Sequence, residues 1–511
     1  MSAAQNGAMP PRLFERVRVV TIQLPNYPHS AAFDELAESF VHAFSALGAQ
    51  ADSAINQPLI GEGINFVFGA HLLAPTVALP PNSIIVNLEQ LRGGVFAQPH
   101  YLERLKHHPV LDYSARNVAR LRAQIGNVHV HAFEVGTMPA MSRIAPAAQQ
   151  DVDVLFYGSI NERRRAILDA LSAAGLVVKV LFGVYGAERD AWIARSKIVL
   201  NVHFYEDQIH ELVRTSYLLA NRKLVVSECE DVTEIDADVR QALVAVAYNQ
   251  LVGTCVALVR DEPRRRALEH AGFECMRRRN QAELLKPLLA PLSLPLPRRI
   301  NLGSGKAYDP ERLNIDVDPQ WQPDILGDIS KPHGLKQIFF SPKFGLARLD
   351  PGEFDEITAM DVLEHVPDLV TLMTHCLDLL RVDGVMRIGV PYDLSWGAWQ
   401  DPTHIRAFNE RSWLYYTDWH WYLGWDVARF HLAEMNFALS PVGEGLRQRG
   451  MASEDIFRTP RAVDSMQVLL TKRLLDATEK QRAVAHKLGP ARHAATLSVA
   501  PATDQTLGNR A

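Results

Sequence analysis

Cysteine is scarce in this chain of 511 residues: there are four, Cys229, Cys255, Cys275 and Cys376, far apart and without a Cys-x-x-Cys pair. That spacing argues against a disulfide framework and a structural zinc site, and it fits a reducing, cytoplasmic setting. Long hydrophobic runs are also missing. No stretch approaches the ~18 uninterrupted apolar residues of a membrane-spanning helix, so no transmembrane segment is expected. Met1 to Pro11 lacks a charged start followed by an apolar run, so no secretory leader is expected. A large charge of one sign is absent too: the formal net charge is -5. Phosphate binding needs a concentrated basic surface, so no nucleic-acid partner is expected. The triplets Arg163–Arg165, Arg264–Arg266 and Arg277–Arg279 sit in helix-like, mixed-charge segments. They read as solvated helix faces or local ion pairs. No short internal repeat and no metal-ligand spacing is visible, and no metal is expected.

What is present is a rhythm of apolar strands and amphipathic helices in three blocks. The first, residues 1–145, has strand-like runs at Val17–Leu24, Ile64–Phe68, Ser83–Asn87 and Val128–Phe133, with a helix at Ala31–Leu47. The second, 146–286, repeats the pattern with strands at Asp153–Tyr157, Val177–Phe182, Ile198–Val202 and Lys223–Ser227. Such alternation predicts α/β units with parallel, doubly wound sheets. Residues 287–298 hold Pro287, Pro291, Pro295 and Pro297. Proline at that density breaks helices and central strands, so this stretch reads as a linker. The third block covers 299–475. The polar, Ala-rich remainder, 476–511, is expected to be disordered.

The third block carries the clearest chemistry. A strand runs into Leu302-Gly-Ser-Gly-Lys306, where Gly303 and Gly305 let the backbone turn sharply beside a ligand. Leu313-Asn-Ile-Asp316 ends a second strand in a carboxylate that can accept ribose hydroxyl hydrogen bonds, with Asp318 as the alternative. Asp328 ends a third strand. Phe354–Met360 leads into Asp361-Val-Leu-Glu-His365-Val, and Leu379-Leu-Arg-Val-Asp-Gly384 leads into Val385–Pro391. This ordered set resembles the class I S-adenosylmethionine-dependent methyltransferases, over about Ile300 to Pro391. The resemblance implies S-adenosylmethionine as cofactor, with Gly303, Gly305, Asp316, Asp328 and Asp361 as contacts. Ala307 stands where a third glycine is frequent in that family.

Beyond Pro391, Gln400-Asp-Pro-Thr-His404-Ile-Arg406 lies among many tryptophans and tyrosines. Methylating an alcohol requires removal of its proton, and histidine suits that task near neutral pH. His404 is the candidate base, Asp401 its candidate orienter, and His365 the second choice. The aromatics are either the core of a lid or platforms for sugar rings.

The second block contains Asp153-Val-Leu-Phe-Tyr-Gly-Ser, Phe182-Gly-Val-Tyr-Gly186, and His210-Glu-Leu-Val-Arg214 running on to Glu228. These strings resemble the nucleotide-binding lobe of GT-B glycosyltransferases, in the branch related to spore-coat maturation enzymes. The resemblance implies a bilobed half in which 1–145 takes the acceptor and 146–286 grips the nucleotide sugar through Glu211, Arg214 and Glu228. Tyr217 and Asn221-Arg222 depart from the usual pattern. His71 and Glu89 are candidates for chemistry in the first lobe. The expected fold is therefore three Rossmann-like units, a GT-B-like half followed by a methyltransferase domain. The expected function is a bifunctional, glycan-modifying O-methyltransferase and glycosyltransferase, acting on a nucleotide-sugar donor and a glycan or glycoconjugate acceptor. The alternative is a methyltransferase whose front half only binds.

Overall fold

The computed structural model describes residues 12–25, 27–90, 98–145, 147–204 and 209–497. It divides into two compact units: one of residues 1–294 with 338–347, the other of 295–337 with 348–511.

The first unit contains two parallel sheets. Strands β1 (Arg16–Thr21), β2 (Gln50–Ile55), β3 (Ile64–Phe68), β4 (Ser83–Asn87), β5 (Val110–Asp112) and β6 (Val130–Ala132) lie in the order β2-β1-β3-β4-β5-β6. β3 and β4 are buried at every position, as expected of strands covered on both faces. Strands β7 (Val152–Tyr157), β8 (Val178–Leu181), β9 (Ser196–Asn201), β10 (Leu224–Glu228) and β11 (Val244–Val246) form the second sheet, ordered β11-β10-β9-β7-β8. Side-chain caps start two of the intervening helices: Ser114 Oγ accepts from the Asn117 N–H, and Asn161 Oδ1 from that of Arg164. The helix Gln281–Leu289 returns to the first sheet's side, where the Thr137 N–H donates to Arg279 O and the Gly136 N–H to Gln281 Oε1.

The second unit is built on one seven-stranded sheet. It uses β12 (Arg299–Leu302), β13 (Leu313–Asp316) and β14 (Ile325–Leu326). Two short strands, β15 (Ile338–Ser341) and β16 (Gly345–Arg348), come next in the chain but pair with each other in a sheet of their own. β17 (Phe354–Met360), β18 (Leu380–Pro391), β19 (Ala428–Leu439) and β20 (Val463–Leu474) complete the large sheet, in the order β14-β13-β12-β17-β18-β20-β19. All its pairings are parallel except those of β20, which runs antiparallel to β18 and β19. The crossover between β12 and β17 creates a switch point, and the carboxyl ends of both strands face it. No described helix is long and apolar enough to cross a membrane.

Several expectations are corrected. Pro287 lies inside a helix, two residues before its end, where the missing N–H costs a single hydrogen bond. Residues 338–347, expected within the methyltransferase block, belong to the first unit. Ile338 and Leu346 are buried in its core, and the backbone pairs through Leu294 N–H to Phe344 O and Leu346 N–H to Leu292 O. The tail expected to be disordered from 476 forms a helix, Ala477–Leu497, anchored where Glu479 meets Arg429 and Arg473; residues 498–511 lie outside the described residues. Of the arginine triplets, Arg164, Arg265 and Arg279 are buried instead of solvated. Arg265 bonds the carbonyls of Leu258 and Val259, and Arg279 meets Asp236 and Asp238.

Candidate functional site

Two sites emerge, one in each unit. In the second unit the turn after β12 puts Gly303 at φ +62° and Gly305 at φ +44°. A Cβ on Gly303 would lie 2.4 Å from Val362 Cγ2, whereas one on Gly305 would meet only a carbonyl at 3.9 Å. Gly303 therefore makes room for the turn after β17, and Gly305 leaves space for a ligand. Asp316, 9% exposed at the end of β13, accepts from the Gly305 N–H at 2.8 Å and from the Asp318 N–H at 2.9 Å. One bond falls on each carboxylate oxygen, so each keeps a lone pair. Asp318 instead caps the next turn through the Gln320 N–H. Asp328 accepts from the Ser330 N–H and hydroxyl. Burial raises its pKa, but these bonds and Lys331 together hold it below the usual range. Asp361 is exposed at φ +55°, its N–H bonded to Gly389 O at the next strand.

Gly303→Ala tests this turn. Positive φ costs about 1–3 kcal/mol for a residue with a side chain. The melting temperature of the second unit is expected to fall by roughly 3–8 °C in a calorimetric scan. Gly303→Ala with Val362→Ala is expected to recover part of that loss, because the nearest clash is removed and the φ strain remains.

Behind the turn after β17 lies a cluster that the sequence did not predict. Glu364 is 1% exposed, and neither carboxylate oxygen has a hydrogen-bond partner among the described residues. Burial pushes it up to about 7. Its Oε1 lies 4.0 Å from His404 Nε2. His404 Nδ1 faces Ala398 O at 3.2 Å, and its ring packs edge-on to that of His365 at 4.6 Å. His365 Nδ1 contacts Thr403 Oγ1 at 3.0 Å, and that hydroxyl donates to Asp401 at 2.7 Å. One donor atom each from Glu364, His365 and His404 lies within 4.8 Å of the others. Two expectations change. Asp401 does not orient His404; it reaches His365 through Thr403, because its carboxylate turns back on its own loop. The residues do offer a set of potential metal ligands. The string Leu-Glu-His365 was visible in the sequence, but Glu364 had no role there, because nothing local indicated its burial. Of the aromatics, Trp413, Tyr416 and Trp425 are core, whereas Trp396 and Trp399 are exposed beside Ala398.

In the first unit a cleft lies between the two sheets, lined from one side by Glu35, Glu89 and Tyr113 and from the other by Tyr157, Arg189, Glu211, Arg214 and Tyr217. Gly158, at the end of β7, lies against Arg214, where a Cβ would be 3.0 Å from its Nη2. Glu211 stands at the N-cap position of the helix Leu212–Ala220 without a side-chain cap bond, and the helix's positive end faces the cleft. It meets Arg164 at 3.2 Å, Asn201 at 2.9 Å and His203 at 3.3 Å. Burial acts to raise its pKa, but the His203 bond with the charges of His203 and Arg214 prevails, so it stays well below the carboxylate range. Arg214 reaches Asn201 at 3.3 Å and stands over the Tyr157 ring. Glu228 corrects the third donor-site expectation. It is fully buried, does not line the cleft, and is taken up by Arg163 and the His203 N–H. Tyr217 donates to Asp190 at 2.7 Å and accepts from Arg143. Glu89 lies 3.5 Å from His71; burial raises the acid to about 6 and lowers the imidazole to about 4. The sequence missed Glu35 and Arg189, which pair at 2.6 Å across the two lobes.

No family model matches the chain. It is 29% identical over 154 residues to uncharacterized protein L140 of Acanthamoeba polyphaga mimivirus, a match covering 29% of this chain and 49% of that protein. The chain thus spans about half the length of this curated relative. Similar solved structures include AviGT4, a glycosyltransferase involved in avilamycin A biosynthesis, with 14% identity, 54% of this chain and 96% of that one covered, and a TM-score of 0.37. They also include a SAM dependent methyltransferase from Archaeoglobus fulgidus, with 15% identity, 37% and 90% covered, and a TM-score of 0.22.

Proposed function

We propose that the second unit transfers a methyl group from S-adenosylmethionine to a hydroxyl of a glycan or glycoconjugate, and that the first unit transfers a sugar from a nucleotide donor to the same class of acceptor. The observation that carries the methyl-transfer reading is the Gly305 N–H bound to Asp316 beneath open space. It holds a carboxylate with spare lone pairs where a ribose diol can be gripped. Asp328 and Asp361, at the ends of the neighbouring strands, complete the donor contacts. The acceptor oxygen attacks the sulfonium methyl carbon; the C–O bond forms as the C–S bond breaks, and the hydroxyl proton passes to His404 Nε2. A proton on Nδ1, donated to Ala398 O, leaves that lone pair free. Trp399 offers an exposed face for a sugar ring, and Trp396, covered on one face by Arg461, stands beside it.

For the first unit, Arg214 and the helix end at Glu211 suit a diphosphate, and Glu211 suits sugar or ribose hydroxyls. The second reading, a recruiting module without transfer, is favoured by Tyr217, which departs from the glycosyltransferase pattern and whose hydroxyl is tied to Asp190. Fusion suits sequential steps on one acceptor, since tethering raises the local concentration of the second active site.

Calorimetric titration with S-adenosylmethionine, and separately with uridine, guanosine and thymidine diphosphate sugars, tests both halves. Binding of both classes is expected. Glu211→Ala is expected to weaken the nucleotide sugar by roughly 10–100-fold, the loss of one charge-assisted hydrogen bond of about 1.5–3 kcal/mol. Binding of the methyl donor alone would leave the front half as a module of another kind. Binding of a nucleotide sugar without its turnover would establish the second reading.

A further inference from the structure

Three groups with lone pairs converge in the second unit with no proton donor among them. Nδ1 of His404 faces a carbonyl oxygen, an acceptor only, so in the neutral ring Nδ1 carries the proton and Nε2 is bare. Nε2 is also the atom that faces Glu364. Thr403 Oγ1 spends its proton on Asp401 and accepts from His365 Nδ1, so His365 is left with a bare Nε2 as well. The Glu364 carboxylate is buried, and neither oxygen has a partner among the described residues. A buried carboxylate without a donor is costly, and two imidazole lone pairs beside it add to the cost. Either protons or a cation must offset this. The Nδ1 atoms of both rings are held, one by a carbonyl and one by a hydroxyl–carboxylate relay. That is how ligating histidines are oriented and kept in one tautomer.

We propose that Glu364, His365 and His404 bind one divalent cation of the kind that accepts imidazole together with carboxylate, such as Mn2+, Fe2+, Co2+ or Zn2+. Metal–nitrogen and metal–oxygen bonds of about 2.0–2.2 Å give a coordination sphere about 4.2 Å across. The three donors, within 4.8 Å of one another, span nearly that width, and small side-chain rotations bring them in. Two nitrogens and one oxygen suit these ions better than Ca2+ or Mg2+, which favour oxygen ligands. Three protein ligands leave positions open for water or for an acceptor hydroxyl.

The site goes beyond the methyl-transfer reading and rests on it only for its purpose. The Nε2 lone pair of His404 cannot bind an ion and a proton together. With the ion in place, the ion-bound hydroxyl releases its proton to solvent water and attacks as the alkoxide, with the same C–O and C–S bond changes as before. Asp401 and Thr403 are positioning residues that act through His365.

The test uses the full chain, freed of metal by a chelator and titrated with Co2+ alone, without donor or acceptor. One equivalent is expected to bind, giving a visible absorption band of nitrogen- and oxygen-ligated cobalt. Glu364→Gln and His404→Ala are each expected to weaken binding by at least about 10-fold and to abolish the band. Asp401→Asn, at an exposed loop, is expected to weaken it less and to keep the band. Absence of stoichiometric binding, or equal affinity in the wild type and both ligand variants, overturns the proposal. If a ligand variant does not fold, Thr403→Ala, which frees His365 Nδ1, supplies the comparison, and unchanged affinity there overturns it too. A parallel titration with S-adenosylmethionine separates the two ideas: cobalt bound without the methyl donor leaves the ion site and removes the methyl-transfer reading.

Discussion

Asp316→Ala is expected to reduce S-adenosylmethionine affinity by at least about 100-fold, to the point where calorimetry detects no binding. Two losses add. A carboxylate that accepts two ribose hydroxyls contributes about 1.5–3 kcal/mol per bond, and 1.4 kcal/mol is tenfold in affinity. The Gly305 N–H also loses its acceptor, so a turn held at φ +44° is freed. Asp316→Asn separates the two. It keeps an oxygen for Gly305 but removes the charge, and is expected to fall between wild type and Asp316→Ala. Asp318→Ala is expected to have a small effect, because that side chain caps its own turn. Unchanged affinity in Asp316→Ala would move the donor away from the β12 turn and discard the assignment.

His404→Ala is expected to lower the rate of methyl transfer by about 100–10,000-fold, the span over which positioned acid–base groups contribute. Donor affinity is expected to stay within about twofold, because His404 contacts Glu364, His365 and Ala398 and none of the donor residues. Single-turnover kinetics beside a binding titration reads both. Asp401→Asn is expected to have a smaller effect, since Asp401 reaches the cluster only through Thr403 and His365. Normal turnover in His404→Ala would remove it as proton acceptor; its role as a ligand is read by the cobalt titration.

The residues proposed to hold the methyl donor were legible because each sits where a local rule applies. Gly303 and Gly305 mark a turn that only glycine takes easily, and Asp316 ends a short apolar strand, patterns that need only a few consecutive residues. Glu211 came from the resemblance of its segment to the nucleotide-binding lobe of GT-B glycosyltransferases, and it lines the first unit's cleft. Glu228, at the end of β10, looked equivalent, yet Arg163 from the helix Glu162–Ala173 consumes it. The two long strands β19 and β20, and the transfer of 338–347 to the first unit's core, also escaped local reading. Their apolar residues gain their partners from distant segments.

The sequence by itself determined the three α/β blocks, the glycine turn and the acids at strand ends, because backbone preference and hydrophobic period act over a few residues. Only the tertiary structure decided what those residues meet. It buried Glu364 without a donor, brought His404 from beyond β18 to stand beside it, and turned Asp401 towards Thr403 instead. Burial and the convergence of lone pairs depend on contacts between segments far apart in the chain, and no local pattern encodes them.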